Sequence, residues 1–226
     1  IGLKYTSAPF YQMALTFNKR DTLSVLKEYG IKTAVSVYLN KGDSIDVQKI
    51  IDKVSLPCFV KPNNAGSSFG ISKVHTIQEM IPAIEKAYEE DSEILIESFL
   101  DGTEVSVGVI QYQEKIKVLP ITEIISENDF FDYEAKYEGK SQEITPARIS
   151  QEEKTKVETI AKKVYTILNM SGFSRSEYIL VNGEPYFLEM NTVPGLTEES
   201  ILPQQANEAG ISLAELFDNA IGMAIG

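Results

Sequence analysis

One loop of the chain combines residue types that suit phosphate binding. Residues 61–70 read Lys-Pro-Asn-Asn-Ala-Gly-Ser-Ser-Phe-Gly, between two short apolar segments. The ammonium of Lys61, the hydroxyls of Ser67 and Ser68 and the backbone N–H groups around the glycines can cradle phosphates. The loop differs from a Walker loop because its lysine precedes the glycines and no helix follows directly. A flexible hairpin accounts for the same residues equally well.

A second group of candidate residues follows the apolar run 94–96. Glu97, Phe99, Leu100 and Glu104 lie where a strand leaves a sheet. Backbone groups at Phe99 and Leu100 can pair with the edge of a base, and a carboxylate can accept hydrogen bonds from ribose hydroxyls. Taken alone, the segment also fits an ordinary strand end with surface acids.

Oxygen ligands for a metal occur on a predicted hairpin. Glu189 and Asn191 are two residues apart, so their side chains share one face of a strand, roughly 6.6 Å apart along the backbone. Glu177 lies on the preceding strand, in an apolar setting where an acid is costly unless it is paired or metal-bound. These are ligand types that Mg²⁺ accepts. The alternative is a half-exposed hairpin with acids on its wet side, and the following segment 191–195, Asn-Thr-Val-Pro-Gly, favours the metal.

A shared metal requires a particular hairpin register. Glu177 and Glu189 face one side only if paired residue numbers sum to an even value, so we predict a three-residue loop at 182–184 with Gly183 at positive φ. Arg175 lies at the entry of the same hairpin. A permanent cation there can stabilise negative charge that develops during a transfer reaction. A surface salt bridge is the alternative for Arg175.

Composition limits the possible partners. The net charge of −12 and the absence of a basic stripe disfavour nucleic acid. Cys58 is the only cysteine, which excludes an intrachain disulfide and favours a reducing cytoplasm. The single histidine, His75, has no partner pattern, and zinc is excluded on ligand count. No apolar stretch approaches eighteen residues, so we expect no membrane span.

The periodicity of the chain predicts small strands and helices in alternation, then an antiparallel pair and a hairpin, with the change of architecture near residue 98. In the helix that begins after Thr76, the apolar face is expected to comprise Ile77, Met80, Ile81, Ile84 and Tyr88. Capping boxes are expected at Ser150 with Glu153 and at Ser212 with Glu215. Residues 126–149 are charged, aromatic and aperiodic, which favours a functional lid. The predicted helices span 8–17, 18–29, 46–54, 76–90, 150–168 and a last segment from 212. The predicted strands span 33–39, 58–61, 71–74, 93–98, 104–111 and 115–121, and a hairpin that turns at Asn182-Gly183 spans 176–191.

Taken together, these segments resemble the D-alanine–D-alanine ligase family of the ATP-grasp superfamily. The most specific matches are Val60-Lys61-Pro62 with 66–70, the run 96–100 with Gly102 and Glu104, residues 131–137 (Phe-Asp-Tyr-Glu-Ala-Lys-Tyr), and residues 188–195. The resemblance implies an α+β fold in which two α/β lobes hold ATP between them, with an antiparallel sheet in the C-terminal lobe. Residues 1–18 would connect to an upstream domain, 19–98 would form the central lobe, and 99–226 the C-terminal lobe with a mobile loop at 126–149.

The resemblance also implies roles for single residues. Lys19 and Lys61 would contact ATP phosphates, with Gly66, Ser67 and Ser68 closing over them. Glu97, Phe99, Leu100 and Glu104 would frame adenine and ribose. Lys136 and Tyr137 would belong to the loop that seals the site, with Ser67 linked to Tyr137. The metal ligands would be Glu189, Asn191 and Glu177, and the groups that hold the reaction intermediate and second substrate would be Arg175, Gly195 and Ser200 with Ile201.

Two departures from the family pattern accompany these expectations. The family usually has aspartate where this chain has Glu177, so this ligand must retract or shift the metal. The family also begins with a domain whose glutamate positions the first D-alanine, and nothing here matches it; the chain begins with Ile1. We therefore expect this polypeptide alone to bind Mg-ATP weakly and to make little dipeptide.

The function implied by the resemblance is ATP-dependent joining of two D-alanines through an acyl phosphate, for peptidoglycan synthesis. ATP and Mg²⁺ (two ions, with Mn²⁺ as a substitute) would be required, D-alanine would be the substrate, and the protein would be a cytoplasmic homodimer. Three alternatives stay open: a ligase of the same fold with D-lactate or another amino acid as acceptor, an ATP-binding module without catalysis, and an interaction domain that binds no nucleotide.

Overall fold

The structure is a computed structural model that describes residues 2–126 and 141–225. Its helices are α1 (Phe10–Phe17), α2 (Lys19–Glu28), α3 (Val47–Val54), α4 (Ile77–Glu90), α5 (Gln151–Ile167), α6 (Ile201–Glu208) and α7 (Leu213–Ile225). Its strands are β1 (Ser36–Asn40), β2 (Cys58–Pro62), β3 (Ser72–Val74), β4 (Glu93–Ser98), β5 (Thr103–Tyr112), β6 (Lys115–Val118), β7 (Thr122–Ser126), β8 (Ser141–Ile144), β9 (Phe173–Val181) and β10 (Glu184–Asn191). Within the described ranges, no helix has the length and apolar character that a membrane crossing requires.

The first sheet has four antiparallel strands in the order β1-β4-β2-β3. Alternate residues of β2, such as Cys58 and Val60, are fully buried against α3 and α4. The glycine-rich loop leaves this sheet between β2 and β3, so the sheet fixes both of its ends.

Helix α4 differs from its predicted apolar face. Met80 and Ile84 are buried as expected, but Ile77 and Ile81 keep 42% and 39% of their surface exposed. Small residues complete the buried face instead, namely Ala83 and Ala87. They let the helix backbone lie close to the sheet, which rotates the two isoleucines toward solvent.

The second sheet has the order β10-β9-β5-β7-β8, with β6 pairing to β5. One face packs on α5 through valines such as Val105 and Val107, which share a core with Val157 and Val164. The other face is covered at one end by α6 and α7, and its remaining part faces the first sheet. Both predicted capping boxes are present, at the start of α5 and at the start of α7.

The β9–β10 hairpin corrects the predicted turn. Val181 pairs with Glu184, so the loop has two residues, Asn182 and Gly183, and both have positive φ. Such an Asn-Gly turn matches the twist of a hairpin. The register then shifts by one residue between Phe187 and Glu189, and this β-bulge brings Glu189 opposite Glu177.

The predicted lid at 126–149 is not wholly aperiodic. Strand β8 lies within it and pairs with β7, for example Gln142 with Ile125. Pairing to an existing sheet edge supplies order that the polar sequence of 141–144 does not indicate. Residues 127–140 of the expected lid, with Lys136 and Tyr137, lie outside the described residues.

The proposed lobe boundaries at 18/19 and 98/99 stay predictions. The packing of α2 is informative here because its buried Leu23 and Leu26 belong to the core of the second sheet. The first residue of the same helix, Lys19, bonds the glycine-rich loop of the first sheet.

Candidate active site

A cleft between the two sheets contains a cavity of about 410 Å³. This volume is within the usual range for small-molecule sites. Predicted site residues from both sheets line it: Lys19, Lys61, Ser68, Glu97, Phe99, Leu100, Glu104, Glu177 and Glu189. The structure therefore brings the residues that are expected to bind a base and a ribose next to those that are expected to bind phosphates and a metal.

Apolar residues that the sequence interpretation missed form much of the wall of this cavity. They are Phe59, Ile71, Leu95, Ile179 and Leu188. The rings of Phe59 and Phe99 lie 6.2 Å apart between centroids, at a tilt of 44°. Apolar surfaces on opposite strands can cover the two faces of a planar base. The alternation of side chains along a strand could have identified Phe59 as a wall residue. Phe59 and Lys61 are two residues apart on β2, so their side chains share one face.

An adjoining cavity of about 620 Å³ continues the cleft past Lys19, Ser68 and Glu189, which line both spaces. Its other predicted members are Gly66, Ser67, Arg175 and Asn191. This second space is therefore where the cationic and metal-type residues meet the glycine-rich loop.

Lys61 of β2 and Glu97 of the neighbouring strand β4 form a buried ion pair. Their Nζ and Oε2 atoms are 2.8 Å apart, and the side chains are 12% and 6% exposed. Burial of the Lys61 ammonium works to lower its pKa, but the carboxylates of Glu97, Glu189 and Glu104 together outweigh burial and raise the pKa of Lys61 above its usual value. Lys61 is thus held as a cation at the wall of the 410 Å³ cavity.

The glycine-rich loop has an unusual backbone. Ser67 and Ser68 have φ of 50° and 60°, a left-handed conformation that is costly for residues with a side chain. Such strain in a loop tends to accompany function, since surrounding structure has to maintain it. Lys19 supports the loop from α2 because its Nζ donates to the carbonyl of Ala65 at 2.6 Å.

The acidic hairpin residues share a face with Arg175. Glu189 pairs with Glu177 and Asn191 pairs with Arg175 across the ladder. Residues directly opposite each other in antiparallel strands project to the same side. Glu177 is buried, and its Oε1 accepts from Arg175 Nη2 at 2.9 Å. The Nε of Arg175 is also buried and has no hydrogen-bond partner within the described residues.

The residues present fit a magnesium site. Glu177 and Glu189 supply two carboxylates, and Asn191 adds a carboxamide oxygen two residues further along β10. Mg²⁺ prefers such oxygen ligands. Across 2–126 and 141–225, no three Asp, Glu, His or Cys side chains form a group that could hold a metal, so the amide of Asn191 is needed to complete this set.

Gly195 and Ser200 contact each other at the start of α6. A Cβ built on Gly195 would lie 2.6 Å from Ser200 Oγ, so only glycine fits this approach. Ser200 Oγ also lies 2.8 Å from the hydroxyl of Thr197. The two residues line neither cavity described above.

Comparison with known proteins gave consistent matches. A family model described as the D-ala D-ala ligase C-terminus matches residues 25–222. A D-alanine–D-alanine ligase of Flavobacterium johnsoniae is 70% identical over 225 residues, which is 100% of this chain and 70% of the relative. The corresponding enzyme of Christiangramia forsetii is 60% identical, covering 100% of this chain and 69% of its own length.

Two solved structures resemble this chain in both fold and sequence. D-alanine–D-alanine ligase from Bacillus anthracis, complexed with ATP, superposes with a TM-score of 0.85 at 28% identity, covering 99% of this chain and 71% of the other. The VanG D-Ala:D-Ser ligase of Enterococcus faecalis has the same TM-score at 33% identity, covering 97% of this chain and 64% of the other.

Proposed function

The chain belongs to the D-alanine–D-alanine ligase family, and on that premise we propose that it joins two D-alanines at the expense of ATP. The predicted family and the predicted ATP-grasp fold are both confirmed. The observation that supports this function in the chain itself is the cleft. A cavity with apolar walls, which Glu177 and Glu189 also line, continues into a space lined by Lys19, Arg175, Glu189 and Asn191.

ATP would lie along this cleft. Its adenine would enter the 410 Å³ cavity between the Phe59–Phe99 side and Ile179. Glu104 would accept hydrogen bonds from ribose hydroxyls, and Lys61 and Lys19 would face the phosphates. The glycine-rich loop, with Gly66, Ser67 and Ser68, would cover them.

The first step transfers the γ-phosphoryl group. A carboxylate oxygen of the first D-alanine attacks the γ-phosphorus, the bond to ADP breaks, and an acyl phosphate forms. The chain's own contribution is to hold the phosphates with fixed cations, since positioning and charge stabilisation dominate this chemistry. Mg²⁺ at Glu177, Glu189 and Asn191, expected as two ions and replaceable by Mn²⁺, would supply further charge neutralisation.

The second step forms the peptide bond. The amine of the second D-alanine attacks the acyl carbon, and the resulting tetrahedral oxyanion faces Arg175 and the backbone at Gly195. The C–O bond to phosphate then breaks, phosphate leaves with the original carboxylate oxygen, and the amine loses a proton. The Nε of Arg175 supports this assignment because it is buried, finds no hydrogen-bond partner among residues 2–126 and 141–225, and such a donor needs an acceptor.

Further proposals concern the second-substrate contact, closure of the site, and the setting in which the protein acts. Ser200 with Ile201 would contact the second substrate, and Lys136 with Tyr137 would close the site through Ser67. The product would serve peptidoglycan synthesis in the cytoplasm, where ATP is available, and the protein would act as a homodimer. The net charge of −12 argues against nucleic acid as a partner.

The function is tested by incubating the natural protein that carries this sequence with ATP, Mg²⁺ and D-alanine. We expect phosphate release that depends on D-alanine and matches dipeptide formation in amount. Offering D-serine and D-lactate as acceptors beside D-alanine tests selectivity, with D-alanine expected to dominate. Nucleotide binding without phosphate release would instead identify a non-catalytic module, and a preference for another acceptor would identify a different ligase.

A further inference from the structure

Asn63, between β2 and the glycine-rich turn, is fully buried and bonded on two sides. Its backbone carbonyl accepts from the N–H of Lys19 at 3.3 Å, and its Oδ1 accepts from the N–H of Arg20 at 2.9 Å. Its Nδ2 donates to Glu93 Oε2 at 2.8 Å, and its N–H donates to the Glu93 carbonyl at 2.9 Å. One side chain therefore joins the start of α2 to the start of β4.

The contacts with α2 form a helix cap that comes from outside the helix. The first N–H groups of a helix have no partner within it and need acceptors from elsewhere. The side chain of Asn18 caps only Asp21. The backbone N–H groups of Lys19 and Arg20 are satisfied by Asn63, which lies 44 and 43 residues further along the chain. The beginning of α2 thus depends on the loop that would cover the phosphates.

This cap connects two packing units. Helix α2 buries Leu23 and Leu26 in the core of the second sheet, whereas Glu93 begins a central strand of the first sheet. Arg20 reinforces the junction, since its guanidinium lies 5.0 Å from the ring centroid of Tyr38. A displacement of either sheet at this point would have to break the bonds of Asn63.

Lys19 is the residue whose position this junction sets. It is the first residue of α2, it lines both cavities, and its ammonium bonds the Ala65 carbonyl within the glycine-rich loop. With the helix start capped by the same loop, backbone and side chain of Lys19 are held together against residues 63–65. The cation is therefore fixed relative to Ser67 and Ser68.

Resting on the proposed function, we propose that Asn63 is a positioning residue for nucleotide phosphates: it caps α2 from the glycine-rich loop and so holds the Lys19 ammonium and that loop as one phosphate-binding unit. Asparagine suits this position because it accepts from Arg20 and donates to Glu93 with one amide group. Aspartate would place a second carboxylate against Glu93. Leucine has a similar volume and can make neither bond.

The test compares ATP with adenosine, which lacks phosphates. Calorimetric binding of each ligand, with Mg²⁺ present, would be measured on the natural protein that carries this sequence and on its Asn63→Leu variant. The matched control is Asn219→Leu, since the amide of Asn219 also joins two elements, accepting from the Gln113 N–H and donating to the Gln111 carbonyl, but lines neither cavity. We expect Asn63→Leu to bind ATP about tenfold more weakly, the size of effect typical of a lost cap with its buried partner. Adenosine binding by Asn63→Leu is expected to stay unchanged, and Asn219→Leu is expected to bind both ligands as the parent protein does.

A general loss of structure would weaken the binding of both ligands. A loss of affinity for ATP alone therefore identifies an effect on the positioning of the phosphate-binding residues. If Asn63→Leu does not fold, as judged by its melting transition, Asn63→Ala, which also lacks the acceptor for the Arg20 N–H, replaces it with the same expected pattern. Unchanged ATP affinity, or equal losses for ATP and adenosine, would overturn the inference while leaving the proposed function intact. A parent chain that binds neither ligand would overturn both.

Discussion

Glu177 and Glu189 face each other directly across the β9–β10 hairpin, even though the Asn182-Gly183 turn alone would set them on opposite faces. The β-bulge at Leu188 reconciles the two observations. Phe187, just before the bulge, donates its N–H to the carbonyl of Lys32 at 2.8 Å and packs edge-on against Tyr178. The pair of carboxylates thus depends on contacts outside the hairpin.

The carboxylate pair predicts a dependence of nucleotide binding on Mg²⁺. In Glu189→Gln, the loss of one charged oxygen ligand should reduce the Mg²⁺ enhancement of ATP affinity by at least about tenfold. Calorimetric titration of ATP with and without Mg²⁺ measures this enhancement. The control is Glu184→Gln on the same strand, whose carboxylate pairs with Lys32 and Lys156 at the surface. An intact Mg²⁺ enhancement in Glu189→Gln would remove this residue from the metal site.

Arg175 is predicted to act on the rate. Arg175→Ala in the natural protein should leave ATP affinity nearly unchanged and slow dipeptide formation about a hundredfold, on the order of 3 kcal/mol, as loss of one oxyanion donor does. Single-turnover kinetics and ATP titration on the same preparation separate the two effects. A variant that loses ATP binding and keeps its turnover would place the arginine at the nucleotide instead.

The Lys61–Glu97 pair predicts coupled stability effects. Either Lys61→Met or Glu97→Leu leaves one buried charge without its partner and should lower the free energy of unfolding by about 3–5 kcal/mol. The double variant should lose clearly less than the sum of the single losses. Urea unfolding of the four proteins completes the cycle. Additive losses would mean that the two charges do not stabilise each other.

Cys58 is predicted to be unreactive in the folded chain. Burial raises the pKa of its thiol to about 11, so at pH 8 only about one thiol in a thousand is ionised, and the thiolate is the reactive form. A thiol reagent at pH 8 should label the native chain very slowly and the urea-unfolded chain at once. The labelling rate should rise as the pH approaches 11. Rapid native labelling at pH 8 would contradict the burial of β2.

The sequence predicted the parts of the site that short motifs encode. Lys61, Ser68, Glu97, Glu104 and Glu189 do line one cleft. Lys61, Glu97 and Glu104 lie near the ends of strands that are visible in the sequence, and Ser68 lies in the glycine-rich loop that joins β2 to β3. The capping boxes were predictable because each is a local motif whose two residues lie three positions apart.

Features that depend on distant contacts were not predictable. The bulge before Glu189 requires the carbonyl of Lys32, and the cap on α2 requires Asn63, 44 residues after Lys19. Apolar walls such as Ile179 and Leu188 looked like ordinary core residues. Their role becomes visible only when two sheets meet across a cavity.

The acyl phosphate is the central claim, and one isotope measurement tests it most directly. D-alanine labelled with ¹⁸O in its carboxylate would be given to the natural protein with ATP and Mg²⁺, and the released phosphate examined by mass spectrometry. Attack of the carboxylate on the γ-phosphorus followed by displacement by an amine leaves one carboxylate oxygen in phosphate. We therefore expect one ¹⁸O atom per phosphate, formed together with D-alanyl-D-alanine and ADP. Phosphate without ¹⁸O, or label recovered in AMP, would contradict the proposed reaction.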